Sequence, residues 1–170
     1  MKKKRGAHVF CPSRQIGTSD VWVLPHPNPN MGRIRIPIPP SVNARQRPAI
    51  RYRRTAYGTR AGMELVLTPQ VVGYYLNALP LRMAWKSIMS RPLEDYAEFE
   101  FQFYLGNDLY DTHNGLKVSC DMIEKSGLIS NDRFILPQVA RPVSAPTDPR
   151  LIISFPLTGN HPRPSEGATA

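Results

Sequence analysis

The chain has 170 residues, of which 41% are hydrophobic and 21% charged, and its formal net charge is +9. That length and apolar content suit one domain with a core and exclude wholesale disorder. No apolar run approaches the roughly 20 residues of a membrane-spanning helix, so no membrane partner is expected.

Charge is unevenly divided. Residues 1–63 hold 13 Lys/Arg against the single acid Asp20, a balance of +12; the remainder holds 9 against 12 acids, a balance of −3. A basic half beside a mildly acidic one points to a polyanionic partner and a separate site that uses carboxylates. Cys11 and Cys120 make neither a zinc pattern nor a disulfide framework, which suits a reducing, cytoplasmic setting. The MKKKR start has no apolar segment behind it, so it does not read as a signal peptide.

Residues 1–30 contain only short apolar pieces before PHPNPN, where alternate prolines oppose both helix and sheet ladder. They read as a basic, Pro-rich, flexible extension, with the folded domain spanning 31–157 and a disordered tail over 158–170. Arg33-Ile34-Arg35-Ile36-Pro37-Ile38 alternates with period two, which predicts a half-buried strand that is an edge or ends at the proline. From Ala44 to Gly62 apolar periodicity is weak, and the stretch reads as a loop. Arg45, Arg47, Arg51, Arg53, Arg54 and Arg60 are interleaved there with Tyr52 and Tyr57, the residue types that track a nucleic-acid backbone.

Thr68-Pro69 is a helix start. Val71, Val72, Tyr75, Leu76, Leu79, Met83 and Ile88 follow at near-helical spacing, and Pro80 should kink or split the helix. Glu94–Leu105 then alternates Phe99, Phe101 and Phe103 against Glu98, Glu100 and Gln102, which predicts a central strand with a Phe-rich core face. A helix over 114–126 with Gly127 as its C-cap follows, then strands over 134–139 and 151–155. The order β-α-β-α-β-β predicts an α+β single domain, a mixed β-sheet with two helices packed on one face.

The stretch Tyr110–Asp132 carries the chemistry. On a wheel with Asn114 at zero, Lys117 falls at about 300° and Asp121 at about 340°, one polar face. Leu116, Cys120 and Ile123 fall opposite and predict the buried stripe. Asp111 precedes the helix, and Asp132 can return to it if Leu128-Ile129 packs beneath. Clustered carboxylates repel by roughly 4 kcal/mol per pair at about 4 Å, which a divalent cation between them would offset. Such a cation can activate water for phosphodiester hydrolysis, with Lys117 on the phosphate. A purely structural reading makes Asp111 a helix-start acid, Asp121 a partner of Lys117 or Lys125, and Asp132 a turn residue.

The block Asp111-Thr-His-Asn114, Lys117, Asp121, Gly127-Leu-Ile and Asn131-Asp132 resembles the RusA family of Holliday-junction resolvases, as does Ile36-Pro-Ile-Pro-Pro-Ser-Val-Asn43 upstream. The likeness covers about residues 32–156. It implies a homodimeric, Mg²⁺-dependent endonuclease (Mn²⁺ being an alternative) that cuts branched DNA in a bacterial or phage-infected cell. Carried over by position, Asp111 and Asp132 are metal carboxylates and Lys117 is the catalytic cation. Asp121 ligates or supports, and Asn114 and Asn131 support. His113 stands where the family has an acid. A neutral imidazole is a poor Mg²⁺ ligand, though acceptable to Mn²⁺. Asp121 or Asp108 could supply the missing oxygen, His113 could act as a general base, or the chain could bind nucleic acid without cleaving it.

Overall fold

A computed structural model describes residues 13–41, 46–55, 58–106 and 110–157. The N-terminal strands are β1 (Arg14–Gln15), β2 (Trp22–Leu24) and β3 (Met31–Pro37), followed by a hairpin of β4 (Gln46–Thr55) and β5 (Gly58–Leu67). Helices α1 (Pro69–Tyr75) and α2 (Ala78–Lys86) lead to β6 (Ala97–Leu105) and α3 (Thr112–Ser126). A 3₁₀ turn, Asp132–Phe134, precedes β7 (Ile135–Val139), β8 (Val143–Ser144) and β9 (Arg150–Pro156).

The main sheet runs β1-β2-β3-β9-β6-β7, with β8 also pairing β6. β7 and β8 lie parallel to β6, and the other neighbours are antiparallel, so the sheet is mixed. Alternation decides its faces. Ile34 and Ile36 of β3, Phe99, Phe101 and Phe103 of β6, and Leu151, Ile153 and Phe155 of β9 are all buried, and α2 and α3 close over them. The rings of Phe99 and Phe155 stack 5.8 Å apart. Each buried phenylalanine contributes about 1.5–3 kcal/mol by leaving water. Glu98 and Glu100 stay exposed on the opposite face. The expected α+β architecture, the central Phe strand and the Gly127 C-cap (φ 74°) are all present.

Several local expectations are corrected. Part of the 1–30 extension belongs to the sheet. β2 pairs with β3, and Ile16, Val21 and Val23 are buried, because three apolar residues suffice once a strand edge is available. β3 is therefore interior, and it resolves the proline by ending there. The loop expected after Ala44 is a hairpin. Its register pairs Arg53 with Arg60 and Tyr52 with Ala61, so the ladder, rather than apolar periodicity, defines it. The α1–α2 break falls at Leu76–Asn77, upstream of Pro80. The proline's missing N–H is harmless within the first turn of α2. Of the apolar series at near-helical spacing there, Val71 is buried while Val72, Leu76, Leu79 and Met83 are exposed. Tyr74, Leu81, Ala84 and Trp85 form the inner face instead.

Helix α3 begins two residues earlier than expected, and its buried stripe is rotated. Gly115, Val118, Ser119, Met122, Ile123 and Ser126 face inward, whereas Leu116 and Cys120 are half-buried. Counting only apolar residues missed the two serines. Each is satisfied within the helix, Ser119 Oγ donating to the Gly115 carbonyl (3.0 Å) and Ser126 Oγ to that of Ile123 (2.7 Å).

Candidate active site

Asp111 is the N-cap of α3. Its Oδ1 accepts from the backbone N–H groups of His113 (3.0 Å) and Asn114 (3.4 Å), and its Oδ2 from Asn114 Nδ2 (2.6 Å). The carboxylate therefore quenches the open amides of the helix start, where the macrodipole also favours a negative charge. Three of about four acceptor sites on the carboxylate are used, and the residue remains exposed.

The N-terminus of α3 is held in place by Tyr110, whose hydroxyl donates to the Pro39 carbonyl at 2.6 Å. The ring passes so close to Gly115 that any side chain there would collide with the Tyr110 hydroxyl. Burial, with Asp111 next to it, raises the Tyr110 pKa well above the ordinary phenol value. The proline-rich turn and the helix that carries the polar residues are thus locked together by one tyrosine.

Along α3, Asn114, Lys117 and Asp121 keep to one face, as expected. Lys117 is exposed, while Asn114 and Asp121 are half-buried. The Tyr75 hydroxyl donates to Asp121 Oδ2 at 3.0 Å, and Lys125 Nζ lies 5.2 Å from the Tyr75 ring centre. Tyr75 was legible only as a periodic apolar residue, and its hydroxyl role needed the α1–α3 packing. Beyond the helix, Leu128 and Ile129 are buried, and the chain turns through Asn131, whose Oδ1 accepts from the Arg133 N–H at 3.0 Å. The turn packs against α3.

That turn brings Asp132 back to α3, near Cys120. Burial pushes the Cys120 thiol up to about 12, with Asp132 and then Asp121 adding to the shift and Lys117 opposing it. Two carboxylates and a lysine from two elements therefore act on one thiol.

Not all the expected ligands can share an ion. Asp111 and Asp121 are ten positions apart on one helix, about 15 Å of rise, whereas Mg²⁺ holds each oxygen at about 2.1 Å. Among the described residues no three His, Cys, Asp or Glu side chains gather closely enough to hold a metal. The donor type, carboxylate oxygen, nevertheless suits a hard cation that completes its shell with water and phosphate. His113 is exposed at the first turn of α3, and Asp108 lies outside the described residues.

Of the arginines expected to bind DNA, Arg47, Arg51, Arg53, Arg54 and Arg60 are strand positions of the hairpin, and Arg54 is exposed. Arg45 lies outside the described residues. No protein-family model matches the chain, and no curated protein matches it either. Among the described residues no helix is long and apolar enough to cross a membrane.

Proposed function

We propose that the chain is a metal-dependent endonuclease that hydrolyses phosphodiesters in branched DNA, four-way junctions above all. What supports this reading is the packing of the Asp132 turn against α3, the helix that Asp111 caps and that carries Lys117 and Asp121. Asp132 would hold Mg²⁺ or Mn²⁺ with water and phosphate completing the shell, and Asp111, the N-cap of α3, is the second carboxylate that the resemblance implies. Asp121, already engaged by the Tyr75 hydroxyl and too far along the helix to share an ion with Asp111, supports the face. When bound, the cation supplies a water of lowered pKa and offsets phosphate charge. Lys117 binds and orients the phosphate oxygens from its exposed position, and the strand arginines of the hairpin track the flanking backbone.

A second reading, a junction-binding protein without cleavage, is favoured by His113 in place of an acid and by the lack of a three-donor cluster among the described residues. A synthetic four-way junction with Mg²⁺ or Mn²⁺, run beside Asp132→Asn and Asp121→Asn, separates the two. The enzyme predicts symmetric nicks that Asp132→Asn abolishes and Asp121→Asn only slows. Tight binding without nicks under either metal would leave the second reading.

A further inference from the structure

The segment that follows β3 and helix α1 leave an open groove between them, with a volume of about 580 Å³. That lies within the range of about 300–1,000 Å³ of sites that hold small ligands. One wall is Pro37, Pro39 and Pro40, which offer rings and carbonyls but no backbone N–H. On the other, Gln70, Gly73, Tyr74 and Asn77 fall within about 100° of one another, since helical spacing keeps them on one side. Tyr110, which ties Pro39 to α3, also lines the groove, so it reaches the residue before Asp111.

Nothing in the helix itself calls for glycine at 73. Its φ is helical rather than positive, and a Cβ there would meet no atom within 4 Å. Glycine inside a helix costs about 1 kcal/mol against alanine. A side chain at 73 would instead stand in the groove, beside the buried Tyr74. The glycine keeps that space open.

Charge and chemistry select the occupant. None of the residues lining the groove is charged. Its polar groups include the amides of Gln70 and Asn77, and among the described residues only one bond uses them, from Asn77 Nδ2 to the Tyr74 carbonyl at 2.9 Å. The hairpin with its arginine positions springs from the same place. β4 starts five residues after Ser41 of one wall, and β5 ends three before Gln70 of the other, with Arg47 and Val66 paired near that root. Cationic positions beside a neutral, flat-walled slot suit a polyanion whose side groups are neutral, planar and edged with donors and acceptors. We infer that the groove takes an unpaired nucleobase of branched DNA. The base stacks on the proline and tyrosine rings with its edge on the Gln70 and Asn77 amides, while the hairpin arginines hold the flanking phosphates. This rests on the reading of branched DNA as the substrate and narrows it to branches that carry an unpaired base. Such a base turns out of the stack at the least cost.

Binding of the full chain to two four-way junctions tests this, one fully paired and one with a single unpaired base at the branch. Fluorescence anisotropy is read in EDTA so that nothing is cut. The wild type should prefer the unpaired base by about five- to a hundredfold, the usual strength of one base stacked on protein. Gly73→Leu, which a helix accepts and circular dichroism can check, should bring the two affinities together. An abasic site in place of the unpaired base should do the same for the wild type, and this arm needs no variant. Equal wild-type affinities, or a preference that survives Gly73→Leu or the abasic site, overturn the inference. A proline-rich peptide that binds the wild type but not Gly73→Leu, with the two junctions equal, would make the groove a peptide site and overturns it too. Nicking is scored separately with Mg²⁺ or Mn²⁺. Preference without nicks refutes the proposed endonuclease and leaves the groove standing, and nicks without preference do the reverse.

Discussion

The β6–α3 body and the β4–β5 hairpin are written in the same period-two alphabet, yet one is a core and the other an open ribbon. In β6, the apolar face meets α3 and the neighbouring β9, so Phe99, Phe101 and Phe103 are fully buried. In the hairpin, each strand's main partner is the other strand, and Ile50 and Tyr52 stay in water. A two-stranded ribbon alone is marginal in water. Alternation specifies which residues share a face, and only a second layer decides whether that face is dry.

The contrast can be broken most directly by truncation. Phe101→Ala should cost about 3–5 kcal/mol in urea unfolding, since it removes a ring at the centre of the sheet. Tyr52→Ser, measured at concentrations too dilute for association, should change stability by less than about 0.5 kcal/mol. Equal losses at the two sites would mean that the hairpin is part of the core.

A smaller effect is expected where the body meets the site. Gly115→Ala should destabilise by about 1–3 kcal/mol through overpacking against Tyr110, and Tyr110→Phe by about 1 kcal/mol through the lost bond to Pro39. The Tyr110→Phe background should soften Gly115→Ala without making it harmless, because the ring carbon that bears the hydroxyl also lies too close to a side chain at 115.

The body should also respond to alkali in a way the hairpin does not. The Cys120 and Tyr110 acid groups are raised by burial, so the folded state keeps protons that the unfolded chain releases. Their contribution is complete below the ordinary thiol value of 9.0 and is lost as pH rises toward about 12. Denaturation midpoints should therefore fall through that window, and less steeply in Cys120→Ala. A midpoint that is flat over pH 9–11 would contradict the buried thiol.

The finest test reads the position of Asp132. With Cys11 replaced by serine, Cys120 should alkylate slowly at pH 8, because burial keeps its thiol protonated. Asp132→Asn should speed the reaction several-fold by removing a raising charge, while Glu98→Asn, on the exposed face of β6, should not. Equal rates in the two variants would put Asp132 away from Cys120.

Much of the site could be read from residue order alone. Asn114, Lys117 and Asp121 share a face because helical spacing requires it, and Gly127 ends the helix because only glycine adopts its positive φ without strain. The strand Phe99-x-Phe101-x-Phe103 and the α+β order were equally legible, since alternation is local. The hairpin was not, because its pairing is set by partners up to 21 positions apart, Gln46 with Leu67. The buried stripe of α3 was misplaced by its serines, whose hydroxyls are satisfied inside the helix and so pack as small residues.

The sequence by itself determined the faces of β3 and β6, the shared face of Asn114, Lys117 and Asp121, the cap at Asp111 and the basic character of residues 1–63, all consequences of short-range geometry and charge. Tertiary structure alone decided that the Asp132 turn packs on α3, that Tyr75 holds Asp121 and that Tyr110 ties Pro39 to α3. These contacts join residues far apart in the chain, and their positions depend on how buried faces pack. The same packing left Leu76, Leu79, Ile50 and Tyr52 in water, which no local pattern could distinguish from core.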